Sequence, residues 1–156
     1  MKVLMDADCL IKLTKSGLKE LVAAKVQIFI PEAVRREVVD AGKLKQCSDA
    51  LAVEKNIEEK TVCVIAHSVP IASGDRALVT VFGHGNYDAV ATDDARLTQQ
   101  LRAYGIPFVL PGLLIYQLMK QGILDKEHGF SALAQLAQYI SEDEYSTTRL
   151  LMESIK

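Results

Sequence analysis

Short apolar runs alternate with amphipathic stretches along this chain. Residues 2–5 and 26–30 are brief, apolar and rich in Val and Ile, the pattern of strands buried on both faces. Residues 61–67 and 87–92 read the same way, and Ile106 to Leu110 is a weaker fifth strand. Its Pro107 has no N–H to give a ladder, which predicts a sheet edge.

The intervening stretches carry helix punctuation. Pro31 stands at a predicted first-turn position ahead of Glu32-Ala33-Val34, and Gly105 stops a helix that ends in Leu101-Arg102-Ala103-Tyr104. Residues 43–60 are charged and helix-prone, a solvated helix or two. Leu113 to Lys120 is a helix ended by Gly122. Phe130, Leu133, Ala134 and Ala137 then form an i, i+3, i+4, i+7 stripe. Ser141 and Glu144 are placed for a capping box, with Ile140 and Tyr145 as its hydrophobic staple. No repeat, low-complexity tract or linker interrupts the series. The alternation predicts one domain over residues 1–156, a three-layer α/β/α sandwich with a central parallel sheet of about five strands and the C-terminal helices packed on it.

Composition narrows the picture only a little. The chain has 156 residues, 49% apolar and 24% charged, an ordinary balance for a globular domain. A net charge of −2 lacks the basic footprint of a high-affinity, sequence-independent nucleic-acid binder, which counts against a passive binding module. It counts less against a nuclease whose metal ions supply local positive charge. Cys9, Cys47 and Cys63 form no C-x-x-C pair and read as small buried hydrophobes in a reducing compartment. No apolar run approaches the ~18 residues of a membrane span, and the start of the chain does not read as a signal peptide. A cytoplasmic location is expected.

The candidate chemistry is acidic. Asp6 follows Val3-Leu4-Met5, and Glu37 lies on the helix after residues 26–30. Asp75 comes after the 62–66 run, and Asp93-Asp94 close Val90-Ala91-Thr92. In a parallel sheet these positions gather at the carboxyl ends of the strands, where ligands bind. Like charges collected there raise one another's pKa or require a cation, and hard oxygen donors suit Mg²⁺ or Mn²⁺.

Each acid also has a plainer reading. Asp8 fits a cap on a helix starting near Cys9. Glu37 shares an inward face with Val34, Val38 and Ala41, where an ion pair to Arg76 or another base would suffice. Asp75 shares a face with Leu78, Val79 and Phe82, and the helix dipole alone favours a first-turn acid. One of Asp93 and Asp94 could cap the helix from Ala95 to Ala103. Asp6, directly continuing a buried strand, is the hardest to explain without a partner. His67, His84 and His128 lack zinc-ligand spacing, and no dinucleotide fingerprint, nucleophile elbow or Walker A motif occurs.

These segments resemble the PIN-domain ribonucleases, a family that includes VapC-like toxins and uncharacterised prokaryotic relatives. Val3-Leu4-Met5-Asp6-Ala7-Asp8-Cys9-Leu10-Ile11 resembles the family's opening motif, and Pro31 to Val38 its Pro-x-x-Val-x-x-Glu helix. Gly74-Asp75-Arg76-Ala77-Leu78 and Ala91-Thr92-Asp93-Asp94-Ala95-Arg96-Leu97 resemble the third and fourth motifs, and Gly112 to Ser141 the C-terminal helices. The resemblance implies hydrolysis of an RNA phosphodiester that leaves a 5′-phosphate. Asp6, Glu37 and Asp94 would hold one or two Mg²⁺ or Mn²⁺ ions, with Asp75 and Asp93 completing the shell. It assigns catalysis to Asp6, Glu37, Asp75 and Asp94, and makes Asp8, Thr92, Arg35, Arg36, Arg76 and Arg96 candidates to touch the substrate. A toxin role with an antitoxin partner, and a homodimer, stay open. The family commonly has Asn, Ser or Thr at position 8, and many relatives carry a second acid where this chain has Ala77.

Two rival readings remain. A catalytically weak PIN-like domain would act by binding RNA or protein. A haloacid-dehalogenase-type phosphatase would use Asp6-Ala7-Asp8, Ile65-Ala66-His67-Ser68 and Thr92-Asp93-Asp94. That chemistry needs a Lys between the last two motifs, and none occurs between Lys60 and Lys120.

Overall fold

A computed structural model of the chain describes residues 1–66 and 73–155. Five parallel strands form one sheet: β1 (Lys2–Met5), β2 (Gln27–Pro31), β3 (Val62–Ile65), β4 (Ala89–Ala91) and β5 (Phe108–Val109), in the order β3-β2-β1-β4-β5. Val3, Leu4 and Met5 of the central strand are fully buried, as the unbroken apolar run demands. Leu4 lies opposite Phe29 on one side and Val90 on the other. The chain builds outward from β1 through β2 to β3, then crosses back to lay β4 on the other flank. This reversal is the switch point at which open α/β sheets leave a crevice, and the sheet with its covering helices is the α/β/α sandwich expected.

The helices are α1 (Ala7–Lys15), α2 (Lys19–Ala23), α3 (Glu32–Arg35), α4 (Ala41–Leu44), α5 (Ser48–Glu58), α6 (Gly74–His84), α7 (Ala95–Ala103), α8 (Pro111–Lys120), α9 (Lys126–Leu136) and α10 (Glu142–Glu153). None of the helices among the described residues is long and apolar enough to cross a membrane. Between α3 and α4 the backbone takes a π-helical turn, Arg36–Asp40, so the helix carrying Glu37 is not one uniform α-helix. The widened turn buries the consecutive residues Val38 and Val39.

Several local expectations shift. Strands expected over 61–67 and 87–92 are shorter, and His67 and Ser68 lie outside the described residues. Pro31 is the cap before α3, not a first-turn residue. The face of α9 turned to the core is Gly129, Ala132, Leu133 and Leu136, while Ala134 of the predicted stripe is exposed. Gly129 is there for contact: a Cβ on it would lie 2.1 Å from Met119 Sδ of α8. Half of the capping box forms, with the Ser141 hydroxyl accepting from Glu144 N. The Glu144 carboxylate instead accepts from Gly112 N at 2.7 Å, tying α10 to the start of α8. Cys9 is buried, but Cys47 and Cys63 are exposed. Gly105, with φ +67°, ends α7 as predicted.

Candidate metal centre

The loops leaving β1 and β4 carry the first two acids, and strand pairing sets them side by side. Asp6 N–H continues the β1–β4 ladder by donating to Ala91 O at 3.1 Å. Asp6, not Asp8, caps α1: its Oδ1 accepts from Cys9 N at 2.7 Å. Its Oδ2 accepts from the hydroxyl of fully buried Thr92. That hydroxyl also accepts from Asp94 N at 3.1 Å, so one side chain joins both acidic loops. Asp94 in turn caps α7 by accepting from Leu97 N at 2.7 Å.

The other acids approach from the β2 side. Glu37, on the π-helical turn, accepts from Gly74 N at 2.9 Å, which docks that turn on the first residue of α6. The ion pair to Arg76 does not form. Gly74 is required by this approach, since a Cβ there would stand 2.8 Å from Glu37 Oε2. Asp75 follows on α6, exposed and without a hydrogen-bond partner among the described residues.

Asp6, Asp8, Glu37, Asp75 and Asp94 thus line one cleft of about 200 Å³, floored by Ala7, Val34, Gly74 and Leu78. A larger cavity of about 500 Å³ lies elsewhere, bordered by Gln27 and Thr61 at the starts of β2 and β3, and holds none of these acids. Burial first, and charge crowding after it, disfavour the ionised carboxylates here. Burial of Asp6 pushes its carboxyl up to about 7, against the hydrogen bonds from Thr92 and Cys9 and with the help of Asp93 and Asp8. Asp75 is raised by partial burial and by the charges of Asp94 and Glu37.

Not every candidate joins the cleft. Asp93 points the other way, its Oδ2 2.6 Å from Lys12 Nζ, and borders a separate cavity with Ser141, Asp143 and Glu144. Arg35 is held by Glu32 and Asp40, each at 2.8–2.9 Å, and is not turned to the cleft. Arg76 and Arg96 are exposed on α6 and α7. Sequence reasoning missed Gly74, whose N–H orients Glu37, and Lys12, although its i+4 spacing from Asp8 was a usable signal.

An all-oxygen donor set, converging from several elements with the carboxyls of Asp6 and Asp75 raised, fits a hard divalent cation in chemistry. The fit is not closed, because no three such side chains among the described residues already surround one point. Both Asp6 oxygens already accept hydrogen bonds, from Cys9 and Thr92, and Asp94 Oδ1 accepts from its helix cap, contacts that orient these carboxylates.

No curated protein matches the chain significantly. A family model, DUF3368, described as a PIN domain, matches residues 2–154. With almost the whole chain inside that match, the protein belongs to the PIN-domain family.

Proposed function

We propose that this protein is a metal-dependent endoribonuclease, with Asp6, Glu37, Asp75 and Asp94 holding one or two Mg²⁺ or Mn²⁺ ions. PIN domains are generally nucleases, so family membership supports hydrolysis of nucleic-acid phosphodiesters. The observation that carries the reading is the single cleft that collects carboxylates from the ends of β1 and β4 and from the helices after β2 and β3. With Asp6 half protonated near neutral pH, the cleft is poised to exchange a proton for a cation. Bound there, such an ion would lower the pKa of a water and neutralise charge on the leaving oxygen.

Asp93 and Arg35 drop out of this reading, being committed to Lys12 and to Glu32 and Asp40. Arg76 and Arg96 are the residues we assign to the phosphate backbone. Ala77, where many relatives carry a second acid, is fully buried and does not line the cleft, so Asp75 is the carboxylate we assign from α6. A cytoplasmic location suits an RNA substrate. A toxin role would add an antitoxin partner, which co-purification with the product of the adjacent gene would reveal.

The deciding experiment incubates pure protein with mixed RNAs in Mn²⁺ or EDTA, beside Asp6→Asn. Cleavage that needs Mn²⁺ and is lost in the variant is the expected result. No cleavage under any condition, with no thermal shift on adding metal, would overturn the reading.

A further inference from the structure

Lys12 lies on α1, one turn past the cleft, with its side chain only 17% exposed. Its Nζ is 2.8 Å from Asp8 Oδ2, one turn back on the same helix, and 2.6 Å from Asp93 Oδ2, so it ties the start of α1 to the loop after β4. Burial alone would weaken the ammonium charge, but the hydrogen bonds to Asp8 and Asp93 outweigh it and keep the side chain charged. Asp93 depends on this contact. Its side chain is 13% exposed, and its Oδ1 is buried with no hydrogen-bond partner among the described residues.

The placement of Asp93 explains why the bridge matters to the cleft. It sits between Thr92, whose hydroxyl holds Asp6, and Asp94, which lines the cleft. Fixing the middle residue of Thr92-Asp93-Asp94 fixes both neighbours. Without Lys12, a largely buried carboxylate would be left uncompensated beside Asp6, and the turn would have to move to reach water.

We propose that Lys12 is a positioning residue for the divalent-cation site: by clasping Asp8 and Asp93 it sets where Asp6 and Asp94 stand. The inference rests on the metal-site reading above. Its effect is on geometry, and the competing electrostatic effect has the opposite sign. Loss of the lysine charge alone would make the cleft more negative and tighten Mn²⁺ binding, whereas a displaced turn weakens it.

The test is Mn²⁺ titration by calorimetry and by the Mn²⁺ electron paramagnetic resonance signal, on wild type, Lys12→Met and Lys12→Arg. Displaced outer partners of metal ligands typically weaken affinity about tenfold, and that is the loss expected for Lys12→Met, with kcat reduced and KM for RNA unchanged. Lys12→Arg, which can still bridge both carboxylates, is expected to restore most of the affinity. Wild-type or tighter Mn²⁺ binding by Lys12→Met would overturn the proposal. If Lys12→Met fails to fold, Lys12→Gln decides: weaker Mn²⁺ binding supports the clasp, and unchanged or tighter binding overturns it. Absence of Mn²⁺ binding by the wild type would instead remove the metal reading itself, and this inference with it.

Discussion

The Thr92 hydroxyl donates to the Asp6 carboxylate across a separation of 86 residues while it accepts from Asp94 N. Replacing it with the near-isosteric Val strips one donor from a buried carboxylate and one acceptor from a backbone N–H. Leaving such buried groups unpaired costs about 1–3 kcal/mol. Thr92→Val is therefore expected to melt several degrees lower, and Thr92→Ser close to wild type, in calorimetric scans of the metal-free protein. The same change removes an influence that lowers the Asp6 pKa, so Mn²⁺ binding by Thr92→Val should need higher pH.

Asp6 makes metal-free stability depend on pH in a definite direction. Its folded pKa, about 7, lies above the ordinary 3.8, so its favourable contribution is complete below the ordinary value and is lost as pH rises through about 7. Asp75 and Glu144, also raised mainly by burial, act in the same sense. At 1.36 kcal/mol per pKa unit, the Asp6 effect amounts to roughly 4 kcal/mol as an upper figure. Melting temperatures in EDTA should fall between pH 5 and 8, and Asp6→Asn should flatten much of that fall.

Metal binding should reverse the preference. An ion at the cleft needs Asp6 deprotonated, so binding releases a proton near neutral pH. Calorimetric titrations in buffers of different ionisation enthalpy should show that release shrinking above pH 7. Mn²⁺ affinity should climb up to that point and then level.

Gly74→Ala tests the Glu37 contact without touching a carboxylate. The new Cβ would stand 2.8 Å from Glu37 Oε2 and 3.1 Å from Val34 Cγ2. Glu37 is exposed and can swing out, so the fold should survive while the cleft loses a donor. We expect a ~10-fold weaker Mn²⁺ affinity, the size typical of a displaced orienting contact, with a melting temperature close to wild type. Equal affinity in the two proteins would show that Glu37 is no ligand.

The parts legible in the sequence were those that depend on local pattern. Val3-Leu4-Met5 and Val90-Ala91 are buried on both faces, so their apolar runs marked β1 and β4 directly, and the acids following them were easy to place. Pro107 pointed to the edge because it has no N–H to give a ladder, and β5 is an edge strand, although it begins only at Phe108. Asp8 was harder. Asp6 and Asp8 are both competent caps two residues apart, and only the start of α1 at Ala7 decides between them. Within Asp93-Asp94, one residue enters the cleft and its neighbour turns to Lys12, 81 positions away, a choice no local pattern encodes. Glu144 had the same ambiguity, since the preferred partner of its carboxylate, Gly112 N, is remote in sequence.

The π-helical turn at Arg36–Asp40 has a consequence for how this segment can change. An α-helix advances about 100° per residue, and the wider π-helical turn advances less, so its five residues cover nearly the rotation of four α-helical ones. Dropping a single residue there would narrow the turn, gain regular backbone hydrogen bonds and leave α4 facing almost as before, with Gly42 still against Ala50. Val38 and Val39 could then no longer both face inward. The loss of one residue between Arg36 and Asp40 is therefore a lighter lesion than the same loss from a regular helix, where everything downstream would turn away from its neighbours.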